Sequence, residues 1–347
     1  MNIASLIHQY QDDLEARFGH RMLPSHHRAL AAMLHCRTPR SGQVRWACCD
    51  CGEHRDQPLS CGHRSCPQCQ SQESTQWLDR QCAKLLPVDY FMVTFTLPAQ
   101  LRSLAWHHQK TVYRLIFDAA VSTLRDFAAN NLGTDLGMTA VLHTHARNKD
   151  LHPHVHVIVP GGGVNRLRRC WKKVQGRYLF NAFALAKVFR ARVLQGLNHE
   201  QLAVPEGVPD PWVVDCRRVG RGKRALEYLS RYLYRGVIAE HDIIAHRNGQ
   251  VTFHYRDSRT GEFTTRTLPG ADFLWLIIQH VLPRGFRRVR DYGFLHGNAK
   301  KRLRLVQWML KVTLALTRVS KPAQPACPGC GQPMRVQSIS RRRSQPG

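Results

Sequence analysis

Three histidines alternate through His152-Pro153-His154-Val155-His156-Val157-Ile158-Val159. On a β-strand, residues two apart share a face, so His152, His154 and His156 point one way while Val155 and Val157 point the other. His154 and His156 can then offer two imidazoles to one cation, with the valine between them anchored in a core. If the preceding strand returns through the polar turn Arg147–Asp150, a symmetric turn places His143 opposite His154 and His145 opposite His152. His143 is the third ligand candidate. Three neutral ligands on a rigid sheet leave open coordination positions, as a catalytic metal requires.

A second group with chemical potential is the helical stretch Arg221–Arg235, RGKRALEYLSRYLYR. Helical spacing puts Leu226, Leu229 and Leu233 on one stripe. Tyr228 and Tyr232 fall four apart on the opposite side, beside Arg224, Arg231 and Arg235. Tyrosines on an arginine face either pack under a basic surface, stack on bases, or attack a polarised phosphodiester whose charge the arginines stabilise. Such an attack stores the bond energy in a phosphotyrosine and needs no ATP. The glycine-rich GRGKRA lacks the spacing of a phosphate-binding loop.

Cysteine supplies the third group. Cys48 and Cys51 form one CxxC, and Cys66 and Cys69 another after a spacer of fourteen residues. Two such knuckles predict four thiolates converging on a structural Zn²⁺. Cys36, Cys49, His54, Cys61, His63 and Cys82 are surplus: a second Zn²⁺, a replacement within the first set, or packing. Cys327 and Cys330 repeat the knuckle alone near the C-terminus. With 12 cysteines and no export signal at the N-terminus, metal binding is favoured over disulfides.

These groups need elements to hold them. Strand patterns run over 89–97, 137–146, 151–159 and 212–219, and helical periodicity over 101–129, 183–197 and 222–235. Strands separated by helices, with one hairpin, predict an α+β fold with an antiparallel sheet. The expected organisation is a helical segment at 1–35, a zinc-binding domain at 36–85 and a catalytic domain at 86–240. A basic DNA-binding region at 241–320 follows, then a disordered tail at 321–347 that carries the lone knuckle.

Charge names the partner class. Fifty-one Lys and Arg against 24 Asp and Glu give a net +27, which calls for a polyanion such as nucleic acid. Between Asp150 and Glu200 the chain has basic residues and no acid, with Arg168, Arg169, Lys172 and Lys173 clustered near Trp171 and Tyr178. Such a mixture suits tracking a phosphate backbone and stacking bases; Arg287 and Arg288 extend the basic character towards the C-terminus. No apolar run approaches the roughly 18 residues of a membrane span, so an intracellular location is expected.

The histidine and tyrosine motifs together resemble the HUH superfamily of single-strand endonucleases. Within it the chain is similar to the rolling-circle transposases of the insertion sequence ninety-one family. The similarity rests on the cysteine-rich N-terminal region, HPHVHVIVPGGG, YLSRYLYR, CRTPRSG at Cys36 and HVLPRGFRRVRDYGFL at 280–295. The resemblance implies an HUH nuclease core in which His154 and His156 hold Mg²⁺ or Mn²⁺. It implies that Tyr228 attacks single-stranded DNA to give a 5′-phosphotyrosine and that Tyr232 serves the second strand transfer. A bacterial, nucleoid-associated cytoplasmic protein is implied too. Two other readings stand beside it: a rolling-circle replication initiator or relaxase, and a non-catalytic zinc-ribbon protein that binds nucleic acid.

Overall fold

A computed structural model describes residues 2–69, 77–165, 167–176, 178–221, 227, 237–257, 260–312 and 324–340. Tyr228, Tyr232, Arg224, Arg231 and Arg235 lie outside the described residues. The fold is α+β with antiparallel sheets, as the strand and helix patterns predict. No helix among the described residues is long and apolar enough to cross a membrane.

The chain divides into two units, and neither is continuous in sequence. One comprises 1–73, 234–281 and 317–347; the other comprises 74–233 and 282–316. In the first, α1 (Ile3–Phe18) and α2 (Pro24–Leu34) precede the hairpin of β1 (Gln43–Ala47) and β2 (His54–Pro58). The second unit holds β3 (Asp89–Thr96), α3 (Arg102–His107), α4 (Gln109–Phe127), β4 (Met138–His145) and β5 (Leu151–Pro160). It continues through β6 (Gly162–Asn165), β7 (Cys170–Lys173), α5 (Ala182–His199) and β8 (Val214–Arg221). Next come β9 (Ile243–Arg247), β10 (Gln250–Arg256), β11 (Phe263–Pro269) and α6 (Gly270–Ile278), all in the first unit. Then β12 (Val289–Tyr292) and α7 (Lys300–Met309) return to the second unit, and β13 (Arg335–Ser340) to the first.

The second unit is built on a five-stranded sheet ordered β12-β4-β5-β3-β8. Strands β3 and β4 both run antiparallel to β5 and flank it, so the histidine strand is central and hydrogen-bonded on both edges. Its alternation works as the sequence predicts: Val155, Val157 and Val159 are fully buried in the main core. Phe91, Val93 and Phe95 of β3 and Ala140 and Leu142 of β4 join them, facing Val112, Ile116, Phe117 and Leu124 of α4. Each of the larger side chains among these, removed from water, contributes roughly 1.5–3 kcal/mol. The histidines therefore sit on the opposite face of a sheet whose register the core enforces. At the sheet edge, Asp291 of β12 accepts from Thr139 Oγ1 at 2.6 Å and pairs with Lys84 at 2.5 Å.

The expected linear domains need correction. The segment 241–320 is not one basic region: β9, β10, β11 and α6 belong with the N-terminal helices, while β12 completes the five-stranded sheet. The physical reason lies in α6, where eight of the nine residues, all but Asp272, are buried. A helix apolar on every side must be surrounded, and α1 and α2 supply that surface. Trp275 stacks on Phe18 with centroids 4.9 Å apart, and Arg17 pairs with Asp272 at 2.6 Å. Gly270 permits the close approach, since a Cβ there would lie 2.4 Å from the Tyr10 ring. The tail also differs from expectation. Residues 324–340 are ordered, and β13 pairs along the whole of β1.

Candidate metal centre and nucleic-acid interface

The structure brings His143, His154 and His156 together, each offering a ring nitrogen within 4.8 Å of the others. Backbone register does this: His143 lies opposite His154, and Val141 opposite His156. Ring centroids are 5.2 Å apart for His143–His154, 4.7 Å for His143–His156 and 4.9 Å for His154–His156. His145 departs from expectation. A register shift between His143 and His145 pairs it with Leu151 instead of His152, so the turn is one residue less symmetric than its polar sequence suggests. His152 instead meets Arg102 at 3.1 Å.

Hydrogen bonds orient the rings. His154 Nδ1 donates to the His152 carbonyl at 2.7 Å, so its proton is on Nδ1 and the Nε2 lone pair is available to a cation. His156 Nδ1 shares a 2.8 Å hydrogen bond with the Thr94 hydroxyl, Thr94 being its register partner on β3. This is the outer-shell arrangement that fixes a metal-binding imidazole. Thr94 is a positioning residue that sequence reasoning missed; the alternation of Thr94 and Thr96 in DYFMVTFTL was its signal. Thr94→Val is expected to weaken Mn²⁺ binding about 10- to 100-fold without changing the fold, as isothermal titration with circular dichroism can check.

Burial sets the protonation state. It holds His143 and His156 well below the usual imidazole range and His154 down at about 4, and the mutual repulsion of the rings adds to the shift for His143 and His156. All three are neutral near pH 7, the form that ligates metal. Arg288 adds positive potential at His143 and His154, and Arg217 at His156. Because the folded pKa values are depressed, the unfolded chain takes up protons first as pH falls. Metal-free protein should therefore lose stability between pH 6.5 and about 4, with His154 alone contributing on the order of 3 kcal/mol. Chemical denaturation midpoints across that window check this; a flat profile would refute it.

The chemistry of the donor set suits a divalent cation. Three neutral nitrogens bring no charge of their own, leave coordination positions for a phosphate and water, and sit on rigid strands.

The basic residues divide into two kinds. Arg168, Arg169, Lys172 and Lys173 are exposed on the β6–β7 ribbon, and Arg287 is exposed before β12. Arg288 is half-buried, its Nε donating to the Leu142 carbonyl at 3.0 Å, so it is braced beside the histidines. Trp171 does not serve as an exposed stacking ring: it packs over Gly162 and against Phe294 with centroids 6.0 Å apart. Tyr178 is exposed.

The four-cysteine set expected from spacing, Cys48, Cys51, Cys66 and Cys69, does not form. Cys66 and Cys69 converge instead with Cys36 and Cys61, all four sulfurs lying within 4.8 Å of one another. Cys36–Cys69 and Cys61–Cys69 are both 3.5 Å apart, near the roughly 3.8 Å edge of a tetrahedron with 2.3 Å Zn–S bonds. The end of α2 delivers Cys36 to this set. A hydrogen bond from Cys61 holds the Cys66 thiol down at about 5, poised as a thiolate, while burial raises Cys36 to about 11. Cys48 and Cys51 find other partners, Cys327 and Cys330. His54 is exposed on β2 and belongs to neither set, as does the exposed Cys49.

Residues 137–302, spanning the histidine strands and β12, match a family model described as "Putative transposase". Residues 6–97 match a transposase zinc-binding domain of the insertion sequence ninety-one type. "Putative transposase y4qJ" of Sinorhizobium fredii is 34% identical over 327 residues, covering 85% of this chain and 82% of the relative. The transposase for insertion sequence element IS801 of Pseudomonas savastanoi pv. phaseolicola is 28% identical over 289 residues, covering 76% of this chain and 68% of the relative. No solved structure matches. With a relative this similar along most of both lengths, and both domain models matched in order, the chain belongs to the insertion sequence ninety-one family of transposases.

Proposed function

We propose that this transposase cleaves and rejoins single-stranded DNA through a tyrosine, in a rolling-circle reaction. The observation that carries the reading is the neutral triad His143, His154 and His156, converging on one face of a central strand. A Mg²⁺ or Mn²⁺ ion held there supplies Lewis-acid polarisation of a phosphoryl oxygen. The chain's own groups do the rest. His154, with its proton fixed on Nδ1 by the His152 carbonyl, and His156, braced by Thr94, keep their remaining nitrogens aimed at one point. Arg217 and Arg288 add positive potential where charge develops on the scissile phosphate. Tyr228 is the nucleophile: its Oη–P bond forms as the P–O3′ bond breaks. The phenolic proton passes through solvent to the departing oxygen, leaving a 5′-phosphotyrosine and a free 3′-hydroxyl. Tyr232 repeats the attack for the second strand transfer. Exposed Arg168, Arg169, Lys172, Lys173 and Arg287 hold the flanking backbone, and ATP has no part.

Covalent trapping tests this. Protein incubated with end-labelled single-stranded DNA bearing the element's termini and Mn²⁺ should retain label through boiling in detergent. Tyr228→Phe should abolish the adduct on the first-cleaved strand. Tight, metal-independent binding with no adduct would instead support a zinc-ribbon binding protein.

A further inference from the structure

Cys48 and Cys51 stand at the tip of the β1–β2 hairpin, and Cys327 and Cys330 lie before β13, which pairs antiparallel with β1. The two CxxC turns have the same backbone design. The N–H of Cys48 donates to the Glu53 carbonyl at 2.9 Å, and the N–H of Cys327 to the Gln332 carbonyl at 2.8 Å, the same five-residue step. In each, the residue after the second cysteine is a glycine in the left-handed region: Gly52 at φ 71° and Gly331 at φ 76°. The sulfurs face one another, Cys48–Cys330 at 3.4 Å and Cys51–Cys327 at 3.5 Å. These separations far exceed the roughly 2.05 Å of a disulfide, and all four sulfurs fall within 4.8 Å of one another.

Among the described residues, little apolar burial supports the strand pairing beside them. All six residues of β13 are exposed, and the apolar cluster at its foot consists of Cys48, Cys327 and Met334 with Trp46 packed against it. So small a cluster does not hold a strand against the entropy of ordering it. A tetrathiolate metal supplies the missing free energy.

We propose that Cys48, Cys51, Cys327 and Cys330 form a second structural Zn²⁺ site that clasps the C-terminal segment onto the N-terminal hairpin. The matched zinc-binding domain ends at residue 97, so half of this site comes from outside it. The clasp is completed only after residue 330 is synthesised, by which point the whole histidine-bearing unit precedes it in the chain. Closed tetrathiolate coordination leaves no position for substrate, so the site's role is to fix the chain's end.

Metal analysis of the reduced, full-length protein tests the proposal. Mass spectrometry should find two zinc ions per chain, falling to one in Cys327→Ala/Cys330→Ala and remaining at two in Cys330→His. Limited proteolysis within 324–340 should become about tenfold faster in the alanine variant, as local opening is no longer resisted. One zinc ion in the wild type, two in the alanine variant, iron in place of zinc, or a disulfide in the reduced protein would each overturn it. If the alanine variant fails to fold, cadmium NMR on the unmodified chain decides: a tetrathiolate resonance coupled to the β-protons of Cys327 and Cys330 supports the clasp, and its absence refutes it.

Discussion

In a strand-cleavage assay with Mn²⁺, His154→Ala/His156→Ala is expected to lose at least about 10³-fold in rate while single-stranded DNA binding changes little. Two of three converging donors disappear together, and no other His, Cys, Asp or Glu among the described residues joins that group. Loss of one preorganised electrostatic group commonly costs 10²–10³, and this change removes the ligand set itself. The fold should persist, because both rings project from the face opposite Val155 and Val157. Binding should persist because the exposed arginines and lysines of the β6–β7 ribbon are untouched. Undiminished cleavage would remove the metal triad from the reaction; loss of binding in parallel with cleavage would make the histidines part of the DNA interface instead.

How far this centre is legible in sequence depends on how local its causes are. The sharing of a face by His154 and His156 follows from the two-residue period of a strand, and the pairing of His143 with His154 follows from a polar turn of plausible length. The register shift beyond His143 is invisible, because a bulge depends on how the turn closes: Lys149 adopts φ 74°, and the Ala146 N–H donates to the Asp150 carbonyl. Thr94 and Arg217 reach the histidines only through strands far away in the chain. The cysteines show the same limit more sharply. Spacing identifies Cys48–Cys51 and Cys66–Cys69 as knuckles, yet proximity in sequence suggests the wrong partners. The β1–β13 ladder, joining residues almost three hundred positions apart, decides the pairing. Likewise the all-round apolar character of FLWLII marks a buried helix without saying that α1 and α2 bury it.

Stripping zinc from the cysteine sets to which residues 36–69 contribute is expected to unfold that stretch while leaving the histidine sheet folded. Strand β2 exposes four of its five residues, and β1 fully buries only Val44. Apolar burial there cannot offset the entropy of ordering more than thirty residues at about 1–2 kcal/mol each for the backbone. Structural zinc contributes about 10–16 kcal/mol in comparable small sites, which equals or exceeds the whole stability of an ordinary domain. A strong chelator should therefore bring amide exchange in this stretch to near-unprotected rates, and Cys61→Ala/Cys66→Ala should do so around Cys36 and over 59–69, outside the β1–β2 hairpin. Amides of β3, β4 and β5 should stay protected, because their core of Phe91, Val93, Val155 and Val157 contains no cysteine ligand. Helices α1 and α6 rest on their own apolar contacts, among them Ile3, Leu6, Ile7, Phe273 and Leu274, so most helical dichroism should survive. Acid should act like the chelator, since protons compete for the thiolates. If exchange in 36–69 stayed slow without metal, apolar packing rather than coordination would have to hold the hairpin, and the cysteine cluster would lose its structural role.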